Sequence, residues 1–291
     1  TCQKEIMKHY LSFSPSADFF SKQGAIETQV LFGERVLVKG STCYAYSQLF
    51  HNELLWKPYP GHSFRSTLVP CTPEFHIHPN VSVVSVDAFL DPWGIPLPFG
   101  TLLHVNSQNT VIFPKDILNH MNTIWGSGTP QCDPRHLRRL NYNFFAELLI
   151  KDADLLLNFP YVWGGRSVHE SLEKPGVDCS GFINILYQAQ GYNVPRNAAD
   201  QYADCHWISS FENLPSGGLI FLYPKEEKRI SHVMLKQDSS TLIHASGGGK
   251  KVEYFILEQD GKFLDSTYLF FRNNQRGRAF FGIPRKRKAF L

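Results

Sequence analysis

The chain has 291 residues, 43% hydrophobic and 19% charged, the balance of an ordinary soluble protein long enough for two or three domains. No apolar run reaches the roughly 18 residues of a membrane span. Six cysteines at irregular spacing, with no C-x-x-C, do not form a disulfide scaffold. Net charge is +3, but seven basic residues and no acid follow Asp265, so the rest of the chain carries −4.

Residues 1–22 are read as an N-terminal segment. Glu27 to Val38 alternates around a Phe32-Gly33 turn, and short strands follow at Cys43–Tyr46, Leu54–Lys57 and Phe64–Val69. This spacing predicts a small barrel over 23–73, and its aromatic-Gly-Glu turn resembles bacterial Src-homology-3-like domains. A second barrel is predicted over 74–130, with strands at Val81–Val86 and Leu102–Val105. Between them Asp91–Pro98 holds too many prolines for a central strand and reads as a loop.

The last unit runs from 131 to 291. Asp133-Pro134 predicts a capped helix, with Leu137, Leu140, Phe144 and Leu148 on its buried face. Pro175-Gly176 turns the chain into a second helix, with Phe182, Ile183, Leu186 and Ala189 on one face and Gly191 at the stop. Cys179 stands at the amino end of that helix, where unpaired N-H groups and the helix dipole lower a thiol's pKa below about 8.5. Strands at Gly218–Tyr223, Ile230–Lys236, Thr241–Ala245, Val252–Ile256 and Ala279–Ile283 then form an antiparallel sheet, which makes the domain α+β. Two of these strands form a hairpin about Asp238-Ser239-Ser240, which brings His232 and His244 within reach of each other. The resulting constellation is Cys179 attacking, His232 taking the thiol proton and His244 orienting His232. The Cys179 N-H is an oxyanion donor.

Five ordered motifs between Arg138 and Pro284 resemble the NlpC family of bacterial cell-wall cysteine peptidases. They are Pro160-Tyr161-Val162-Trp163-Gly164-Gly165-Arg166-Ser167, Asp178-Cys179-Ser180-Gly181-Phe182, Val194-Pro195-Arg196-Asn197-Ala198-Ala199-Asp200-Gln201, Ser231-His232-Val233 and Ile243-His244-Ala245. The resemblance implies a papain-like fold and the catalytic set Cys179, His232 and His244. It also implies a pocket of Tyr161, Asp178 and Ser180 for the substrate's free amino terminus, Asp178 facing the ammonium group. The implied reaction is hydrolysis between gamma-linked D-glutamate and a diamino acid in wall peptides beginning with L-alanine. Two positions depart from the family: Gly218 stands where an aspartate is usual, and Ala198 where a small hydroxyl residue is.

Trp163 is read as aromatic core, and Arg166 and Arg196 either as carboxylate forks for substrate or as loop braces. Cys71, His76 and His78 could ligate zinc but lack a fourth ligand, so a solvated polar strand is favoured and no metal or cofactor is expected. The basic tail reads as a solvated terminus, with no nucleic-acid partner expected. The expected partners are peptidoglycan-derived peptides, the chain being assumed monomeric. A free thiolate favours a bacterial cytoplasm over the periplasm or export. No basic-then-apolar leader is read, though the chain begins at Thr1 rather than methionine. Two rival functions are a non-hydrolytic binder of wall fragments and an acyl transferase on the same fold.

Overall fold

The computed structural model describes residues 7–289 apart from 53–54, 64, 73–77, 225, 266–267 and 272–275. Seven strands build the first unit: β1 (Lys8–Ser12), β2 (Ser16–Phe20), β3 (Ile26–Leu31), β4 (Arg35–Lys39), β5 (Thr42–Asn52), β6 (Leu55–Gly61) and β7 (Leu68–Cys71). Val36 and Val38 alternate into a core completed by Phe19, Val30, Ala45, Tyr59 and Leu68. Gly33 makes the intervening turn at φ +77, a conformation that a side chain would strain. The strands flanking that turn do not pair with each other. β3 pairs with β2, while β4 lies between β1 and β5 in a sheet of order β6-β5-β4-β1-β7.

β1 was expected outside the barrel, within residues 1–22, yet it is interior to this sheet. The buried Leu11 and Phe13 draw it in. The strand expected from Phe64 starts at Leu68, after a 3-10 turn at Arg65–Thr67. Phe64 and Leu54 lie outside the described residues, as do Cys2, His76 and Arg272.

The second unit contains β8 (Val81–Val83), β9 (Phe89–Leu90), β10 (Ile95–Pro96) and β11 (Leu102–Leu103). The proline-rich stretch is a loop only in part: 92–94 turn the β9–β10 hairpin, and Ile95–Pro96 is β10 itself. A helix that the sequence reading did not predict, α1 (Lys115–Trp125), buries Ile117 and Met121 against this unit. Its core also takes Leu11, Phe13, Phe32 and Val69 from the first unit, so the two pack as one body.

The helix predicted from Asp133 is a correction. Asp133 does cap, accepting from the Arg135 N-H at 2.9 Å, but only one 3-10 turn forms at Pro134–His136. Sheet pairing then wins over helical spacing. Leu137–Arg139 becomes β12 beside β8, and Arg138 forks the buried Asp152 at 2.6 and 2.7 Å. The helix α2 starts later, at Ala146–Leu155.

The remaining elements are β13 (Arg166–Ser167), β14 (Gly176–Val177), α3 (Cys179–Ala189), β15 (Tyr192–Asn193), α4 (Ala198–Ala203), β16 (Cys205–Ile208), β17 (Leu219–Pro224), β18 (His232–Lys236), β19 (Thr241–Ser246), β20 (Lys251–Ile256), β21 (Gly261–Asp265), β22 (Tyr268–Phe271), β23 (Arg276–Pro284) and β24 (Arg287–Lys288). The main sheet runs β20-β19-β18-β17-β23-β22-β21, with β16 also on β23, and every pairing is antiparallel. The α+β order expected from the sequence is therefore present. α3 packs through Phe182, Ile183 and Leu186 with Phe221, Val233 and Ile243 of this sheet. It was expected to bury one face, but every residue of it is buried, because Phe99 and Leu149 share the same core.

The basic tail is docked rather than solvated. β24 pairs with β15, Arg287 bonds the buried Asp204 and lies over the Trp56 ring, and Lys286 and Lys288 sit over Phe144 and Tyr142. The Gly218 departure has a local account too. Leu214 fills the space where a side chain would stand, and the Lys236 ammonium holds the adjoining turn through the Phe211 and Leu214 carbonyls, both at 2.7 Å.

Candidate active site

α3 begins where a carboxylate locks two segments together. Asp178 is its N-cap, with Oδ1 accepting from the Gly181 N-H at 2.6 Å, while Oδ2 accepts from the Gly164 N-H at 3.0 Å. The loop and the helix thus meet at one side chain. Their approach demands glycine. A Cβ on Gly181 would collide with the Gly165 carbonyl, and Gly164, at φ +72, packs on the Ile26 carbonyl of β3.

Arg196 closes this web from below. Its guanidinium forks Asp178 at 3.0 and 2.8 Å and donates to Ser180 Oγ at 3.0 Å and to Thr28 Oγ1 of β3 at 2.7 Å. Ser180 Oγ in turn donates to Asp178 at 3.1 Å. The Asp178 carboxylate therefore accepts from five donors, which fills its roughly four lone-pair sites.

His232 and His244 come from β18 and β19. The two strands pair in register at Leu235 with Ile243, and the histidines join across the ladder by a ring contact of 2.7 Å between His232 Nε2 and His244 Nδ1. His232 thus keeps Nδ1 for other work. The Cys179 thiol lies against the N-H of Val233, next in chain to His232, and so Cys179 and the histidine pair share one end of the sheet.

Electrostatics correct one sequence expectation. The Cys179 thiol is pushed up to about 12 rather than down, chiefly by burial and next by the Asp178 charge. The N-H groups of Val233 and Ser180 and the Arg196 guanidinium pull the other way, but less. Burial also lowers His232 to about 4 and takes His244 well below its ordinary range. Thiol and imidazole both rest neutral at neutral pH. Burial raises the Tyr161 phenol as well.

The residues singled out from the sequence thus gather at one place: Cys179, Asp178 and Ser180 on the helix start, Tyr161 against them, and His232 hydrogen-bonded to His244. Trp163 is no core residue; it is 66% exposed, because the Gly164-Gly165 turn faces it outward. Arg166 is wholly buried and forks Glu34 of the first unit at 2.8 and 2.9 Å, also meeting Asn184 and Gln188. Both arginines are braces within the protein. Among the described residues no cluster of side chains is suited to a metal.

Sequence reasoning missed two carboxylates here. Glu253 of β20 lies 3.9 Å from His244 Nε2, and Glu27 of β3 lies 3.3 Å from the Tyr59 hydroxyl, which is also 3.3 Å from Asn197 Oδ1. Register would have found Glu253, since it stands opposite His244 in the β19–β20 pairing. Glu27 carries no local signal.

The chain is similar to known proteins in both sequence and fold. Residues 158–272 match the NlpC/P60 family. A gamma-D-glutamyl-L-lysine dipeptidyl-peptidase of Bacillus subtilis is 29% identical over 243 residues, 80% of this chain and 77% of its own length. The peptidoglycan endopeptidase RipB of Mycobacterium tuberculosis is 31% identical over 130 residues, and that match spans 42% of this chain and about half (52%) of the relative. In fold, the crystal structure of an NlpC/P60 family protein from Bacillus cereus superposes with a TM-score of 0.69 at 20% identity, covering 94% of this chain and 98% of that one.

Proposed function

We propose, from the premise that this chain carries an NlpC/P60 family domain and is a cysteine peptidase, that it hydrolyses the bond between gamma-linked D-glutamate and a diamino acid in peptidoglycan-derived peptides. Its peptidoglycan endopeptidase activity is of the NlpC/P60 type. Cys179 is the nucleophile, His232 the base and His244 the residue that orients the base. The supporting observation is the 2.7 Å contact between the histidines beside a helix-start thiol seated on the Val233 N-H.

The steps follow from this placement. His232 takes the thiol proton as sulfur adds to the peptide carbonyl, and the Cys179 N-H at the helix start receives the oxyanion. Collapse breaks the C–N bond, and the imidazolium returns its proton to the leaving amine. Water, deprotonated by His232, then hydrolyses the thioester and restores the thiol.

Tyr161, Asp178 and Ser180 form the wall of a pocket for the free amino terminus. Because Asp178 is already forked by Arg196, we assign part of the attraction for an ammonium group to Glu27, a second carboxylate whose partner Tyr59 feels the same Arg196 guanidinium. We also take the first unit, from β1 to β7, and the second unit, up to residue 130, as Src-homology-3-like barrels, the first of which supplies Glu27, and favour a reducing bacterial compartment. The test compares L-alanyl-gamma-D-glutamyl-L-lysine, its diaminopimelate counterpart and the same tripeptides acetylated at the amino end. Release of dipeptide from the free forms with loss on acetylation supports the reading. Equal cleavage of the capped forms refutes the ammonium pocket, and no release from any of them refutes the bond assignment.

A further inference from the structure

Glu253 stands directly opposite His244 in the β19–β20 ladder, so the two side chains leave the same face of the sheet. Its Oε1 is 3.9 Å from His244 Nε2, the one ring nitrogen that His232 does not occupy. The carboxylate is also given room. Gly249, whose N-H donates to Ser246 Oγ at 2.9 Å, lies over it, and a Cβ at Gly249 would collide with both carboxylate oxygens.

We infer that Glu253 is a positioning residue that sets the proton order along the histidine pair. The inference rests on reading Cys179 and His232 as the reactive groups. A carboxylate near His244 Nε2 favours the proton on that nitrogen, so Nδ1 keeps a lone pair and accepts from His232 Nε2-H. His232 Nδ1 is then unprotonated, the form that can take the proton of the Cys179 sulfur. The reverse order, with the proton on His244 Nδ1, makes His232 Nε2 an acceptor and leaves its Nδ1 as a donor with nowhere to put the thiol proton. When His232 becomes imidazolium, Glu253 stabilises the added charge through His244, as a buried aspartate does in a serine triad.

The other groups around the pair come from several elements. Asp178, before α3, acts on His232; Arg196 and Tyr161 face Cys179 and Asp178; Phe255 of β20 packs its ring on His244. The nearby Lys251 bonds Asn158 at 2.8 Å. Among these, Glu253 is the carboxylate on the outer nitrogen of His244.

The experiment measures two rates across their acid and alkaline limbs, iodoacetamide alkylation of Cys179 and turnover of the free L-alanyl-gamma-D-glutamyl tripeptide. The proteins are wild type, Glu253→Gln, Glu253→Asp, Gly249→Ala and His232→Ala. Glu253→Gln is expected to lower kcat roughly tenfold with KM little changed. It also moves the acid limb of both rates to lower pH, because the imidazolium loses its carboxylate and His232 stays unprotonated further into acid. Glu253→Asp restores the limb in part. Gly249→Ala, which displaces the carboxylate without removing a charge, shifts it in the same direction as Glu253→Gln. A limb that stays in place in Glu253→Gln overturns the inference, whether or not the rate falls, because a merely structural role lowers rate without moving the limb. The reading beneath fails separately. If His232→Ala leaves the alkylation profile of Cys179 unchanged, the reactive pair is wrong and this inference falls with it. If alkylation shifts as described while no tripeptide is cleaved, the inference stands and the substrate assignment fails.

Discussion

Replacing Arg196 by leucine tests the web that seats the start of α3 at Cys179. The guanidinium is 1% exposed and Asp178 is 8% exposed, and the two meet through a fork of 3.0 and 2.8 Å. Leucine fills much of the volume but leaves the carboxylate without a counter-charge, which costs about 3–5 kcal/mol in a buried pair. The Gly164 and Gly181 N-H groups and the Ser180 hydroxyl still reach Asp178, which places the expected loss at the low end, about 3 kcal/mol. With an m-value of about 3 kcal/mol per molar, the urea midpoint falls by about 1 M. Asp178→Asn alone strands the arginine at a similar cost, whereas the double variant loses little more than either single one. The coupling energy of the cycle is then about 2–3 kcal/mol. Kinetics give a second readout: Arg196→Lys keeps the charge but loses the fork, and a displaced helix start lowers kcat by about a hundredfold. A midpoint change below about 0.3 M for Arg196→Leu, or a double variant whose loss equals the sum of the singles, refutes the reasoning.

Gly181→Ala drives a methyl into the Gly165 carbonyl and is expected to cost about 3 kcal/mol, read as a lower thermal midpoint; an unchanged midpoint would mean the loop yields freely. Acid should destabilise the fold through His232. Its folded value is lowered to about 4 from an ordinary 6.5, so the unfolded chain takes up the proton first. The stability it contributes is present above about 6.5 and is lost as pH falls toward about 4, some 3 kcal/mol in all, with His244 acting in the same direction. Urea midpoints at neutral pH and at about pH 4.5 should therefore differ less for His232→Asn than for wild type, and equal differences would contradict the burial account. Arg287→Ala leaves the buried Asp204 without its ion pair and uncovers Trp56, so denaturation should register a loss of about 2 kcal/mol; no loss would mean the tail is as solvated as its charge suggested.

Residues whose chemistry is fixed by a local motif were legible before any coordinates. The helix-start thiol followed from Pro175-Gly176 and the apolar spacing after it, and the histidine contact followed from two strand-like runs about one turn. What stayed hidden depends on partners distant in sequence. Nothing near Asp133 shows that Leu137–Arg139 will pair with β8 instead of extending a helix. Nothing near Arg166 shows that Glu34, from the β3–β4 turn, will claim it. The direction of the Cys179 shift was misjudged for the same reason. A helix start is a local feature that lowers a thiol, whereas burial arises from the sheet and the units packed around it, and burial is the larger effect. The basic tail likewise read as solvated because Trp56, Phe144 and Tyr142 lie far away in the sequence.

The most direct measurement is turnover of L-alanyl-gamma-D-glutamyl-L-lysine by Cys179→Ala beside wild type, with folding of both checked by circular dichroism. Wild type should release L-alanyl-D-glutamate while the variant, equally folded, releases none. Dipeptide formed at the wild-type rate by a folded Cys179→Ala protein would contradict the assignment of Cys179 as nucleophile.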